Sequence, residues 1–161
     1  MDLSWEDVSG VFEHSPWVAS QAWAQGPFAD LDQLHAAMAS VVRAAPRERQ
    51  LALIRAHPEL GARVAGAEEL TPDSAREQAT VGIHRLGTGE LAELRALNAA
   101  YRERFGFPLV VCVREHTPES IVSWGRERLG NSHEQEIATA LGEIFKIAWG
   151  RLDGLSGTIP A

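Results

Sequence analysis

Apolar residues recur along most of the chain at spacings of three and four, which place side chains on one face of an α-helix. The clearest run begins after Thr88-Gly89-Glu90, and its stripe consists of Leu91, Leu94, Leu97, Tyr101 and Phe105. Gly106 follows directly, and glycine is the residue that most often closes a helix. The pattern therefore predicts a long helix with one buried face.

Start and stop signals divide the remaining sequence into further helices. Ser, Thr and Asp side chains cap helix N-termini, and proline suits the first turn. Such starts are Ser4, Asp30, Pro46, Thr71-Pro72, Thr117-Pro118 and the Ser132/Gln135 capping box. Stops follow at Gly26-Pro27, Pro58 and Gly130, and the tail from Gly154 to Ala161 is expected to be loose. The sequence predicts an all-α, single-domain multi-helix bundle over residues 1–161, with about seven to nine helices.

The run LVVCV, Leu109 to Val113, is the one segment with the composition of a strand. It has no obvious partner strand, so we expect a buried extended or irregular piece. Cys112 lies inside it and is the only cysteine, which excludes an internal disulfide and a thiolate metal cluster. A small buried hydrophobe is favoured over a nucleophile at this position.

Composition excludes several function classes. The chain has 161 residues, of which 45% are apolar and 23% charged, and no apolar run approaches the ~20 residues of a membrane span. A formal charge of -7, with acids and bases mixed along the sequence, predicts no nucleic-acid binding. The N-terminal MDLSWED lacks a basic region followed by an apolar segment, so we expect no secretory signal and a cytoplasmic protein.

Motifs for metals and phosphates are also missing. The six histidines show no HExxH spacing, and neither GxGxxG nor a Walker sequence occurs. Gly87-Thr88-Gly89 is more simply a turn and a cap. No metal site is therefore expected.

Two polar features remain as candidates for chemistry. Ser74, Glu77 and Gln78 stand at i, i+3 and i+4 and project from one helix face, where they either grip a small hydrogen-bonding heterocycle or form a solvated surface. His57 ends a predicted helix because Pro58 disfavours α geometry at the preceding residue. The helix dipole there favours a protonated, proton-shuttling imidazole, but a histidine that only caps backbone carbonyls explains the pattern equally.

Six stretches in order resemble a known family: FEHSPWV (12–18), HPELG (57–61), SAREQ (74–78), FPLVV (107–111), ERLGN (127–131) and RLDGL (151–155). They are similar to motifs of the 2-oxo-4-hydroxy-4-carboxy-5-ureidoimidazoline (OHCU) decarboxylases. Each motif alone is weak, but their order, nearly end to end, is specific. The resemblance implies an all-helical enzyme of urate degradation, usually a homodimer, that converts this small-molecule ureidoimidazoline to (S)-allantoin and CO2.

The resemblance also implies that no cofactor is needed. The departing carboxylate is attached to a carbon next to a ring imine, so the electron pair left behind delocalises into the substrate itself. An external electron sink is then unnecessary. The protein has to orient the substrate, stabilise the electron-rich intermediate and deliver a proton.

Carried over by motif, the catalytic residues are His57, as acid/base at the ring hydroxyl and carboxylate, and Glu77, its partner in proton transfer. Ser74 and Gln78 would hydrogen-bond the ring and ureido groups, and Pro58 would shape the wall. These roles require His57 and Glu77 to converge, which is a geometric prediction.

The remaining binding groups implied are the backbone of Leu109, Val110, Val111, Cys112 and Val113, at the ureido end, and Arg151. Arg151 would pair with the carboxylate or with Glu77, although Arg128 also lies in a similar motif and its simpler interpretation is a helix-surface ion pair. Leu109 departs from the aromatic residue that many relatives carry. An alternative of another class is a non-catalytic helical protein-interaction module.

Overall fold

The computed structural model describes residues 3–61 and 70–157, and within these ranges it contains eight α-helices and no strand. The all-α prediction is confirmed. The helices are α1 (Trp5–Val8), α2 (Pro16–Trp23), α3 (Leu31–Ala44), α4 (Arg47–Arg55), α5 (Pro72–Val81), α6 (Thr88–Phe105), α7 (Pro118–Arg128) and α8 (His133–Gly157), with 3-10 turns at Ile83–Arg85 and Val113–Glu115. In the described ranges no helix is long and apolar enough to cross a membrane.

The predicted caps are present as hydrogen bonds. Asp30 accepts from the N–H of Gln33 at 2.9 Å, and Thr71 and Thr117 each accept from the residue three positions later. Ser4 and Ser132 begin their helices with reciprocal side-chain and backbone bonds. Each bond satisfies a backbone donor that has no partner inside the helix, which is why the starts were legible from sequence.

Two helix ends differ from expectation. α4 ends at Arg55, so His57 lies just beyond the helix and is not its last residue, because Pro58 restricts the backbone before it. The loose tail expected from Gly154 is wrong for residues 154–157, which continue α8. Leu152, two residues before this stretch, is fully buried and anchors the helix there. The rest of the expected tail, residues 158–161, lies outside the described residues.

Two compact units are distinguished by their internal contacts. The first comprises the described residues up to Ala56 together with those from Ile144 onward. In it α2 packs on α3, and Nε2 of His35 lies 2.7 Å from the carbonyl oxygen of Phe145. Its core is formed by apolar side chains that include Val18, Ala22, Leu34, Met38 and Ala148.

The second unit comprises His57–Glu143. α6 packs on α7 at Gly125, where an added Cβ would lie 2.6 Å from Cδ2 of Leu97, so a larger residue would require the Leu97 side chain to move. α5 packs against the 3-10 turn Val113–Glu115. The prediction that the whole chain is one domain stays a prediction.

Candidate active site

The loop after α4 is held by two hydrogen bonds to its peptide groups. Nδ2 of Asn98, on α6, donates to the carbonyl of Leu60 at 2.9 Å, and Oε1 of Gln78, on α5, accepts from the N–H of Gly61 at 3.0 Å. His57, near the start of this loop, is only 6% exposed. The loop that carries the histidine is therefore held at its C-terminal end.

Gly61 is required at the end of this loop for two reasons. Its φ of +78° lies in the left-handed region, which L side chains rarely adopt. An added Cβ would also lie 3.2 Å from Leu94 and 3.3 Å from Leu91 on α6. The turn can come this close to α6 only without a side chain.

The polar face of α5 is partly internal. Ser74 and Gln78, one turn apart, are 5% and 7% exposed, whereas Glu77 is half-buried. The solvated-surface interpretation is therefore wrong for Ser74 and Gln78. The Thr71 cap and Pro72 fix where α5 begins, and hence which side these residues face.

The segment Leu109–Val113 is buried and irregular up to its 3-10 turn, as expected. Nη1 of Arg128 donates to the carbonyl of Val110 at 2.7 Å. Oε1 of Glu143 accepts from the N–H of Cys112 at 3.0 Å. Burial raises the pKa of the Cys112 thiol, which disfavours the thiolate and fits the prediction of a small buried hydrophobe.

Arg128 forms a buried ion pair, so the expected helix-surface ion pair is wrong. Its side chain is 1% exposed, and its Nε donates to Oε1 of Glu136 at 2.7 Å. Tyr101 donates to the same oxygen at 2.5 Å, and Asn131 donates to the other at 2.9 Å. Burial raises the pKa of the Tyr101 phenol; Arg128 opposes this shift, and the bond to Glu136 adds to it. The polar groups satisfy one another inside the protein.

Arg151 belongs to the first unit and has partners there. It donates to the carbonyl of Val11 at 3.0 Å and lies 3.3 Å from Oε2 of Glu13, in a buried ion pair. This contact joins the early FEHSPWV motif to the late RLDGL motif. Its binding of substrate stays a prediction.

Within the second unit, the described contacts bring three predicted parts of the site together. The Gly61–Gln78 bond joins the His57 loop to α5, and α5 packs on the turn that follows Cys112. Sequence reasoning missed Asn98 and Glu143, which hold two of these parts. Both are polar residues at inward positions of apolar stripes, and that irregularity was the available signal.

Among the described side chains, no group of three His, Cys, Asp or Glu residues is placed to hold a metal ion. The groups available for chemistry are an imidazole, a carboxylate, a hydroxyl and a carboxamide. Such a set suits proton transfer and hydrogen bonding to a small polar molecule.

The fold and the site define an all-α protein in which the loop of a buried histidine is hydrogen-bonded to a helix that carries serine, glutamate and glutamine. The chain belongs to the OHCU decarboxylase family, whose model matches residues 5–153. The 2-oxo-4-hydroxy-4-carboxy-5-ureidoimidazoline decarboxylase of Haloferax volcanii is 42% identical over 152 residues, which cover 94% of this chain and 88% of that protein.

Two further similarities extend this assignment. The decarboxylase of the same name from Halalkalicoccus jeotgali is 40% identical over 153 residues, covering 95% of this chain and 84% of that one. The crystal structure of (S)-allantoin synthase superposes with a TM-score of 0.71 at 29% identity. That match covers 93% of this chain and 48% of the longer protein.

Proposed function

We propose that this protein catalyses the cofactor-independent decarboxylation of OHCU to (S)-allantoin and CO2 in urate degradation. The observation that carries the proposal is family membership over residues 5–153, supported by relatives of that activity at 40–42% identity. The buried His57 loop and its bond to the SAREQ helix supply groups of the right chemistry.

In this reaction the protein has to transfer protons, and it does not have to accept the electron pair. The bond between the ring carbon and the carboxylate breaks and CO2 leaves; the electron pair forms a double bond to the carbon that carries the ureido group, and the former imine nitrogen takes up a proton. The ring hydroxyl then loses its proton and becomes a carbonyl, while the carbon that carries the ureido group gains a proton on one face. Delivery to that face sets the S configuration.

His57 is proposed as the acid/base at the ring hydroxyl and carboxylate. Its burial limits exchange with water, and the Gly61–Gln78 bond limits how far its loop can move relative to α5. Glu77, adjacent to Gln78, is proposed as its proton-transfer partner. A fixed acid/base of this kind contributes about 10² to 10⁴ in rate.

The substrate-binding groups are proposed from the same resemblance. Ser74 and Gln78 are buried on the α5 face and present a hydroxyl and a carboxamide. Pro58 shapes the wall beside His57, and the backbone of residues 109–113 anchors the ureido group. Arg151 is proposed as the cationic partner of the substrate carboxylate.

We also propose an oligomeric state and a cellular location for this protein. We expect a homodimer in solution, measured as a mass of twice 17.6 kDa by light scattering. We expect a cytoplasmic protein, which suits a chain whose single cysteine is buried as a thiol. A tagged chain recovered in another cell fraction would contradict the location.

The function is tested by mixing urate, urate oxidase and the hydrolase that opens its product, with and without this protein. Wild-type protein should produce optically active allantoin far faster than the spontaneous route, followed by circular dichroism. Formation of racemic allantoin at an unchanged rate would overturn the proposal. A melting temperature unaffected by (S)-allantoin would then favour the protein-interaction alternative.

A further inference from the structure

We propose that Arg128 and Glu143 are positioning residues for the segment Leu109–Val113. They hold the C=O of Val110 and the N–H of Cys112, and they thereby direct the N–H and C=O of Val111 towards the substrate. The inference rests on the proposed function, because it assumes that this segment anchors the ureido group. It identifies the peptide atoms that bind the ureido group and the two side chains that orient them.

Both positioning contacts are internal and charge-assisted. Arg128 and Glu143 are 1% and 3% exposed. Arg128 donates to the carbonyl of Val110 at 2.7 Å, and Glu143 accepts from the N–H of Cys112 at 3.0 Å. Hydrogen bonds to ionised groups are about twice as strong as neutral ones, and little water competes at this depth.

The two contacts flank Val111 and determine the direction of its N–H and C=O groups. In extended backbone, the N–H and C=O of residues i and i+2 point to one side, and those of residue i+1 point to the other. Cys112 has an extended conformation, with φ −74° and ψ 90°. The Val110 C=O and the Val111 N–H belong to one planar trans peptide, so the Val111 N–H points away from the group that Arg128 contacts. For the same reason the Val111 C=O points away from Glu143.

Val111 is suited to receive a ligand. It is 3% exposed, and in the described part of the chain its N–H and C=O form no hydrogen bond. Buried peptide groups without partners are rare because each one costs free energy. A ureido group offers N–H donors and a carbonyl acceptor, which complement one peptide C=O and one peptide N–H.

Arg128 is itself held by hydrogen bonds, which makes its contact with Val110 rigid. Glu136 is fully buried and accepts from Arg128, Tyr101 and Asn131, so the guanidinium is held before it reaches Val110. A binding group that is already held in place need not be ordered when substrate binds, so rigidity here should strengthen substrate binding.

A first test is made on the wild-type protein, with one variant used only for assignment. Protein labelled with 15N-valine is titrated with (S)-allantoin, and the Val111 resonance is assigned from its loss in Val111→Ala. The Val111 amide should shift, and the Val110 amide should shift less. A Val110 response larger than that of Val111, or no response at Val111 in protein that decarboxylates OHCU, would overturn the aim that we assign.

A second test separates the acceptor from the charge at Glu143. Glu143→Leu removes the acceptor for Cys112 and should raise KM about tenfold, with kcat changed less than about twofold, because a uniform binding contact is lost. Glu143→Gln keeps an oxygen at this position and should restore most of the affinity. Glu134→Leu, exposed on the same helix, should leave KM unchanged.

The outcomes distinguish the two proposals. Wild-type protein that does not decarboxylate OHCU refutes the proposed function. Active wild-type protein with an unchanged KM in Glu143→Leu refutes the positioning role, as does a Glu143→Gln variant that is impaired as severely as Glu143→Leu. If Glu143→Leu does not fold, the valine titration of the wild type decides.

Discussion

The side-chain carbonyl of Gln78 accepts a hydrogen bond from the peptide N–H of Gly61 at 3.0 Å, across 17 residues of sequence. This bond joins the loop that carries His57 to the helix that carries Glu77. Both partners are buried, so neither can exchange the bond for one to water. The bond therefore limits how far the loop of His57 can move relative to the helix of Glu77.

Gln78→Leu should therefore reduce the free energy of unfolding by about 1–3 kcal/mol, because the Gly61 N–H is left buried without an acceptor. Urea titration followed by circular dichroism measures the loss. Gln25→Leu, at an exposed glutamine, is the matched control and should change stability by less than about 0.5 kcal/mol. Equal stabilities of the two variants would show that the bond contributes nothing.

Alanine substitutions at three glycines distinguish the cost of backbone strain from the cost of steric crowding. Gly61 combines a φ of +78° with close neighbours, Gly82 has a φ of +85° and no neighbour within 4 Å, and Gly89 has neither feature. Alanine should thus destabilise most at Gly61 and less at Gly82, by about 1–2 kcal/mol there. At Gly89, inside α6, it should stabilise by about 0.5–1 kcal/mol. Any other order of melting temperatures contradicts this account.

Arg128 and Arg126 lie on the same helix and should respond differently to substitution. Arg128→Met leaves Glu136 charged and buried, which we expect to cost about 3–5 kcal/mol of unfolding free energy. Arg126→Met removes an exposed pair with Glu93 and should cost less than about 1 kcal/mol. The double variant Arg128→Met/Glu136→Leu should recover part of the loss, and the absence of any recovery would argue against an unpaired charge as the cause.

The free energy of unfolding should fall at alkaline pH, in part because Tyr101 ionises. Burial raises the pKa of this phenol above its usual 10.0, so the unfolded chain ionises first and binds fewer protons than the folded one. Stability is then fully present below about pH 10 and declines as the pH rises further. Tyr101→Phe should show a shallower decline in urea-unfolding free energy over this range. A slope identical to that of the wild type would contradict the linkage.

His57→Ala and Glu77→Ala should each abolish most turnover while leaving the helical circular dichroism spectrum intact. The expected loss is about 10²–10⁴ in kcat, the usual contribution of a placed acid or base. Glu90→Ala, at an exposed carboxylate, serves as the control. Near-normal kcat in either site variant would remove that residue from the proposed mechanism.

Helix starts and stops could be predicted because they depend on neighbouring residues. Asp30, Thr71 and Thr117 each cap the helix that begins at the next position, and Gly106 closes α6 in the left-handed conformation. Pro58 placed the end of α4 to within two residues. Each of these features involves atoms no more than one helical turn apart, so the sequence alone contains the information.

The long-range pairings could not be read from the sequence. For Arg128 the simpler interpretation was a helix-surface ion pair, and no neighbouring residue indicates that Glu136 is buried against it. The bonds from Asn98 to Leu60 and from Glu143 to Cys112 span 38 and 31 residues. Polar residues on inward helix faces show that a buried network exists, but their partners are defined only by tertiary packing.

Glu136 and Glu143 stand seven residues apart on α8, nearly two full turns, so both carboxylates project from one side. One inserted or deleted residue between them would rotate one carboxylate about 100° relative to the other and shift it by about 1.5 Å along the axis. Substitution at the intervening exposed Ala138 leaves that register intact. The stretch of α8 from Glu136 to Glu143 is thus constrained in length more strictly than in composition, and natural variation there should consist of replacements without gaps.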